Sequence, residues 1–134
     1  MILDNSKYGA SINFEIKTYE IDAAGHVNNI VYIKWLEDLR CKLFSQFFPV
    51  ENLLEEDLYP VVTSTKIDYK KQLKLGNKPT GTVQAEFLGH GLMQLKFRFI
   101  NNDKVCAAAE QKCVLMNLKT GSMDKRKFKS LQSI

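Results

Sequence analysis

Long apolar runs, proline, histidine and cysteine are all scarce in this chain of 134 residues. The longest unbroken apolar stretch, Val105 to Ala109, falls far short of the ~20 residues that cross a bilayer as a helix, so no membrane span is expected. The opening MILDNSKYGA carries an acid at position 4 and no apolar core, unlike a secretory leader. Cys41, Cys106 and Cys113 are an odd set without a CxxC spacing, which argues against a disulfide scaffold and for a reduced, cytoplasmic setting. Two His and three Cys, widely separated, offer no metal-ligand spacing, and no phosphate-loop motif is present. No metal and no cofactor are therefore expected.

Charge is nearly balanced, with 19 basic against 15 acidic side chains. Much of the excess lies at the end, where Lys119, Lys125, Arg126, Lys127 and Lys129 face Asp124 alone. Without aromatic interleaving or a recognition motif this reads as a solvated tail, and no nucleic-acid partner is expected. The composition, 45% hydrophobic and 25% charged, is that of an ordinary globular chain. At this length roughly two-thirds of the unfolded surface can be buried, enough for one core. One domain over 1–134 is the expectation, with its core at about 12–121 and a short basic tail.

The layout begins with a lead-in over 1–11. Ile12, Phe14 and Ile16 then alternate with Asn13, Glu15 and Lys17, a period of two that predicts a strand running to about Tyr19 or Glu20. From Asn29 the period changes. Tyr32, Leu36, Leu39 and Leu43 recur at three and four, widened by Trp35 and Phe47, and predict a helix of about 16–18 residues ending before Pro49. Asn28 is its candidate cap.

A polar segment, ENLLEEDLYP, follows. Further strands are predicted over 61–69, with 73–75 as an extension after a bulge, and then over 80–88, 93–99 and 105–118. A short helix is predicted at 125–131. One amphipathic helix covering an antiparallel meander gives an α+β fold of two layers.

Chemistry concentrates in YEIDAAGHVNN, residues 19–29, which joins a strand end to the helix start. Amides of a first helical turn lack intrahelical acceptors and favour negative charge, so they suit a developing oxyanion. Asp22 could act there as nucleophile or as base toward water. It could equally cap loop amides, with Gly25 supplying a backbone angle and Asn28 a plain cap. Spacing leaves both readings open.

The run Asp22-x-x-Gly25-His26-Val27-Asn28-Asn29-x-x-Tyr32 resembles the signature of hotdog-fold acyl-CoA thioesterases of the 4-hydroxybenzoyl-CoA thioesterase-like superfamily. Its HVNN element is similar to the long-chain acyl-CoA thioesterase branch. Trp35-x-Glu37-x-x-Arg40, the segment Ile67 to Leu73 and the segment Cys113 to Thr120 extend the resemblance over about 12–121. One departure is Ala24, where plant acyl-carrier-protein thioesterases carry Asn.

The resemblance implies a hotdog fold, with a long central helix wrapped by a curved antiparallel sheet. It implies an acyl-CoA substrate, and a homodimer or homotetramer with active sites at the dimer interface. Asp22 falls on the catalytic aspartate, and Asn29 where a backbone amide polarises the thioester carbonyl. Gly25, His26 and Asn28 line or orient that loop, Tyr32 lines the acyl pocket, and Glu37 is structural. The phosphates of CoA require basic groups, of which Lys66, Lys70, Lys71, Lys96 and Arg98 are candidates, and the Gly89-His90-Gly91 loop is a further possible contact. The alternatives are a non-catalytic acyl-thioester-binding relative and a hotdog hydratase or dehydratase.

Overall fold

The computed structural model describes residues 8–89 and 91–124. The chain runs β1 (Gly9–Asn13), α1 (Asn29–Phe47), α2 (Val50–Glu55), β2 (Leu58–Tyr69), β3 (Thr80–Gly89), β4 (Leu92–Asn101) and β5 (Lys104–Asn117). The helix predicted at 125–131 lies outside the described residues.

Helix α1 starts where its cap allows. Asn28 is extended, and its Oδ1 accepts the Ile30 amide at 3.0 Å, satisfying one of the donors that a helix start leaves free. It ends at Phe47, because Pro49 disfavours helical geometry at the residue before it and Phe48 is already non-helical. Tyr32, Trp35, Leu36, Leu39 and Leu43 of the predicted stripe are buried on the inner face together with Phe44, whereas Phe47 at the end of the helix is exposed.

The sheet is antiparallel throughout, in the order β1-β3-β4-β5-β2. β3, β4 and β5 form the expected meander. The β4–β5 turn places Asn102 and Asp103 at φ 52° and 63°, the left-handed pair that a two-residue hairpin loop requires. β2 and β1 lie at opposite edges, and the sheet stays open. The result is an α+β hotdog fold in which the five strands wrap the long central helix.

Four expectations need correction. The first strand spans Gly9–Asn13, beginning inside the supposed lead-in, and does not reach Tyr19. Its ladder stops because the chain peels away after Phe14 bonds to Pro79 O. The alternation at Phe14 and Ile16 marked burial in the core rather than sheet pairing. The polar segment after Pro49 forms the short helix α2, which buries Leu53. β2 begins at Leu58, earlier than predicted, and the residues after Tyr69 do not extend it. Leu73 is instead a fully buried anchor in the loop that crosses from β2 to β3, and its carbonyl accepts the Val27 amide at 2.8 Å.

The core beneath α1 is largely aromatic. Trp35 stacks on Phe14 at 4.8 Å between ring centroids and also packs against Tyr32 and Phe99. The sheet approaches so closely at Gly81 that a Cβ there would stand 2.6 Å from Phe14. Among the described residues, no helix is long and apolar enough to cross a membrane.

Candidate active site

The loop between β1 and α1 is tied mainly by bonds local in sequence. The Asp22 amide donates to His26 O at 2.8 Å, and the Gly25 amide to Asp22 O at 3.0 Å. Asp22 Oδ1 accepts the amides of Ala24 at 3.0 Å and His26 at 3.2 Å. Gly25 takes φ 84° to close this turn, a conformation that other residues adopt at a cost. Ile21 bridges Val27, and the Asn28 amide reaches Glu20 O, so the loop returns directly onto the helix start.

Two groups are left over. Asp22 Oδ2 has no donor among the described residues, because both loop amides bind the other oxygen. In the first turn of α1, the Ile30 and Val31 amides both bond to Asn28, while the Asn29 amide has no acceptor among the described residues. The two residues that carry these groups, Asp22 and Asn29, border one hollow.

That hollow is a cavity of about 680 Å³. Asp22, His26, Asn28, Asn29, Tyr32 and Lys70 all line it. Gly25 sits in the turn behind Asp22 and does not line it. His90 lies outside the described residues. Its neighbours Gly89 and Gly91 stand where β3 turns into β4, whereas the Tyr69 row of the sheet runs through Ala107 to Phe99, near the other end of β4. A strand of β4's length separates those ends by about 30 Å.

The basic candidates divide between two faces. Lys70 and Lys71 line the Asp22 cavity. Lys66, Lys96 and Arg98 line a separate hollow of about 490 Å³ on the outer face of the sheet, where Lys96 pairs with Glu86 at 3.5 Å. Glu37 binds Arg40 at 2.9 Å. Arg40 continues to the buried Gln111 at 2.9 Å, and Gln111 to Thr65 at 3.2 Å, so this polar chain fastens α1 to β5 and β2.

Sequence reasoning missed Tyr69. It lines the cavity, donates its hydroxyl to Asn29 O at 3.2 Å, and meets Tyr32 edge-on at 5.2 Å. Its continuation of the Ile67 alternation was the available signal. Gln72 also lines the cavity, carried there by the crossover loop.

Burial, with smaller contributions from Cys106 and Tyr69, pushes the Tyr32 hydroxyl up to about 12. Burial likewise lifts the Cys113 thiol to about 12, against the opposing charge of Arg40. Both groups are held neutral by the fold, so their contribution is intact at neutral pH and is lost as pH climbs from their unfolded values near 10 and 9 toward 12. Denaturant titrations at pH 8.5 and 11.5 are expected to show this alkaline loss. Tyr32→Phe should reduce the loss by on the order of 1 kcal/mol, leaving the Cys113 part. An unchanged alkaline loss in Tyr32→Phe would show that Tyr32 is not a source.

A family model described as the thioesterase-like superfamily matches residues 16–132. No curated protein matches the chain in sequence. Among solved structures, a DHNA-CoA thioesterase from Staphylococcus aureus superimposes with a TM-score of 0.81 at 17% identity, over 93% of this chain and 87% of that one. A predicted thioesterase from Bacillus stearothermophilus gives 0.77 at 25% identity, over 87% and 86%. An acyl-ACP thioesterase from Bacteroides thetaiotaomicron gives 0.83 at 17% identity, over 90% of this chain but 51% of that one.

Proposed function

The chain belongs to the thioesterase-like superfamily, and from that premise we propose that it hydrolyses acyl-CoA thioesters in the Asp22 cavity. Membership makes it a thioester-hydrolysing or thioester-binding hotdog protein. The observation that carries hydrolysis is that Asp22, whose Oδ2 has no donor among the described residues, and Asn29, whose amide has no acceptor among them, line the same cavity.

In this reading the thioester carbonyl oxygen receives the Asn29 N–H, whose donation strengthens as negative charge builds on that oxygen. Asp22 Oδ2 attacks the carbonyl carbon, the C–S bond breaks, and the thiolate leaves to take a proton. Water then splits the mixed anhydride, releasing the acid and restoring Asp22. The other route has Asp22 take a proton from water as that water attacks. Gly25, His26 and Asn28 hold the loop, Tyr32 borders the acyl end, and Lys70 stands at the mouth. The HVNN resemblance supports an aliphatic acyl group. A contact from the His90 loop rests on its sequence alone, where Gly89 and Gly91 would let backbone amides approach a phosphate.

A single hotdog unit of this kind completes itself by pairing. The outer edge of β2, a 12-residue strand, has no neighbouring strand among the described residues. Unpaired edges favour association, and an isologous edge-to-edge dimer is the simplest closed solution. The active sites would then lie at the dimer interface, with a tetramer as a dimer of such dimers. Three free thiols suit a reducing, cytoplasmic compartment.

A panel of acyl-CoA thioesters, followed by released thiol, tests the reading. Catalytic turnover on at least one member is expected. The two amides held by Asp22 Oδ1 favour a second reading, in which Asp22 is structural and the protein only binds thioesters. Saturable binding without turnover would establish that alternative, and hydration with the thioester intact would establish a hydratase.

A further inference from the structure

Tyr32 presents a polar atom that the fold leaves unused. Its ring packs edge-on against Trp35, Tyr69 and Phe99, at centroid distances of 5.2, 5.2 and 5.5 Å, and the residue is only 2% exposed. The hydroxyl has no hydrogen-bond partner among the described residues. Yet none of their fully enclosed side-chain oxygens or nitrogens goes unpaired. The Tyr32 oxygen is therefore the part of the side chain that reaches open space, and the space Tyr32 lines is the Asp22 cavity.

Buried hydroxyls are ordinarily satisfied, and one left over in a cavity wall is available to a ligand. Burial pushes the pKa of this one up to about 12, so at neutral pH it is a donor. The helix sets its place. Tyr32 stands one turn after Asn29 in α1, and helix side chains lean toward the N-terminus. The phenol consequently reaches back along the turn that holds Asn29. Tyr69 touches both residues, with its hydroxyl on Asn29 O at 3.2 Å and its ring against Tyr32. The Tyr69 proton is committed to that carbonyl, whereas the Tyr32 proton is not.

We propose that the Tyr32 hydroxyl is a second donor to the thioester carbonyl oxygen, joining the Asn29 amide. The inference rests on the acyl-CoA reading above and adds a side chain to a backbone donor. As Asp22 or water attacks, the carbonyl π electrons move onto the oxygen, and two donors stabilise that charge better than one. When the C–S bond breaks the carbonyl re-forms, and both hydrogen bonds weaken again. Tyr32 keeps its proton throughout. Its ring borders the start of the acyl group.

Tyr32→Phe tests this, because the ring keeps its packing and the lost hydroxyl has no partner among the described residues. The thermal midpoint at neutral pH should not fall. On the best acyl-CoA, kcat is expected to drop about a hundredfold, with KM changed much less. An unchanged kcat overturns the proposal and leaves hydrolysis standing. A drop confined to acyl groups that carry a further oxygen also overturns it, and makes Tyr32 a contact to that oxygen instead. Calorimetry reads the contact without turnover. One ligand is a CoA ketone, with a methylene in place of sulfur, which keeps the carbonyl. The other is an S-alkyl-CoA thioether, which lacks it. Tyr32→Phe should bind the ketone several-fold more weakly and the thioether as the wild type does. That result supports the contact even if the wild type hydrolyses no thioester, whereas equal weakening of both ligands, or of neither, overturns it.

Discussion

Asp22→Asn is expected to lower turnover on the best acyl-CoA by at least about two orders of magnitude, with a melting temperature close to wild type. The substitution separates the two roles of this carboxylate. Its Oδ1 accepts the Ala24 and His26 amides, and an Asn side-chain oxygen accepts the same two bonds. The loop is therefore kept. Its Oδ2 is the atom without a donor among the described residues, and Asn replaces it with an amide nitrogen that neither attacks a carbonyl nor accepts a proton from water. Asp22→Ala is the complementary variant. It removes both loop bonds, so it should also loosen the turn and lower the melting temperature. Near-wild-type hydrolysis by folded Asp22→Asn would falsify the assignment and leave Asp22 as a loop cap.

The second large effect is on stability. Trp35→Ala should cost about 3–5 kcal/mol, a large share of the margin of a domain this size. The indole is 3% exposed and is enclosed by Phe14, Tyr32 and Phe99, with centroids at 4.8, 5.2 and 5.7 Å. Those neighbours cannot close the void easily. Phe14, Leu39 and Phe99 already crowd Gly81 to the limit of contact, and Phe99 is fixed by its ladder in β4. A fall of about 10–20 °C in thermal midpoint follows. Trp35→Phe keeps a stacked ring and should lose less than half as much. A loss below about 1 kcal/mol for Trp35→Ala would mean that the core repacks, contrary to this picture. Because Trp35 supports Tyr32 at the cavity wall, the variant should also lose kcat/KM at temperatures where it remains folded.

Much of the candidate site was legible because its bonds are short in sequence. Asp22, His26 and Asn28 hold the backbone of the turn between them, all within a few positions. The cap at Asn28 and the apolar stripe of α1 are equally local, and both appear where periodicity and capping chemistry placed them. The first strand was misjudged for a related reason. Alternation at Phe14 and Ile16 reports which side chains are buried, and it cannot tell a paired strand from an extended segment lying on the core.

The sequence by itself determined the helix, its cap, the alternating strands and the polar turn that carries Asp22, because each depends on contacts one or two turns long. Which distant residues join that turn was decided by tertiary structure. β2 crosses to the far edge beside β5, and this alone sets Tyr69 against Asn29 and the amides of Lys70 and Lys71 against Cys106 O. Lys66 and Lys70 are near neighbours in the chain, yet they line hollows on different faces. Gln111 meets Arg40 across 71 positions. No local pattern chooses a strand's neighbour. The choice follows from how the whole sheet closes over α1, since alternation selects a face and packing of the complete core selects the order.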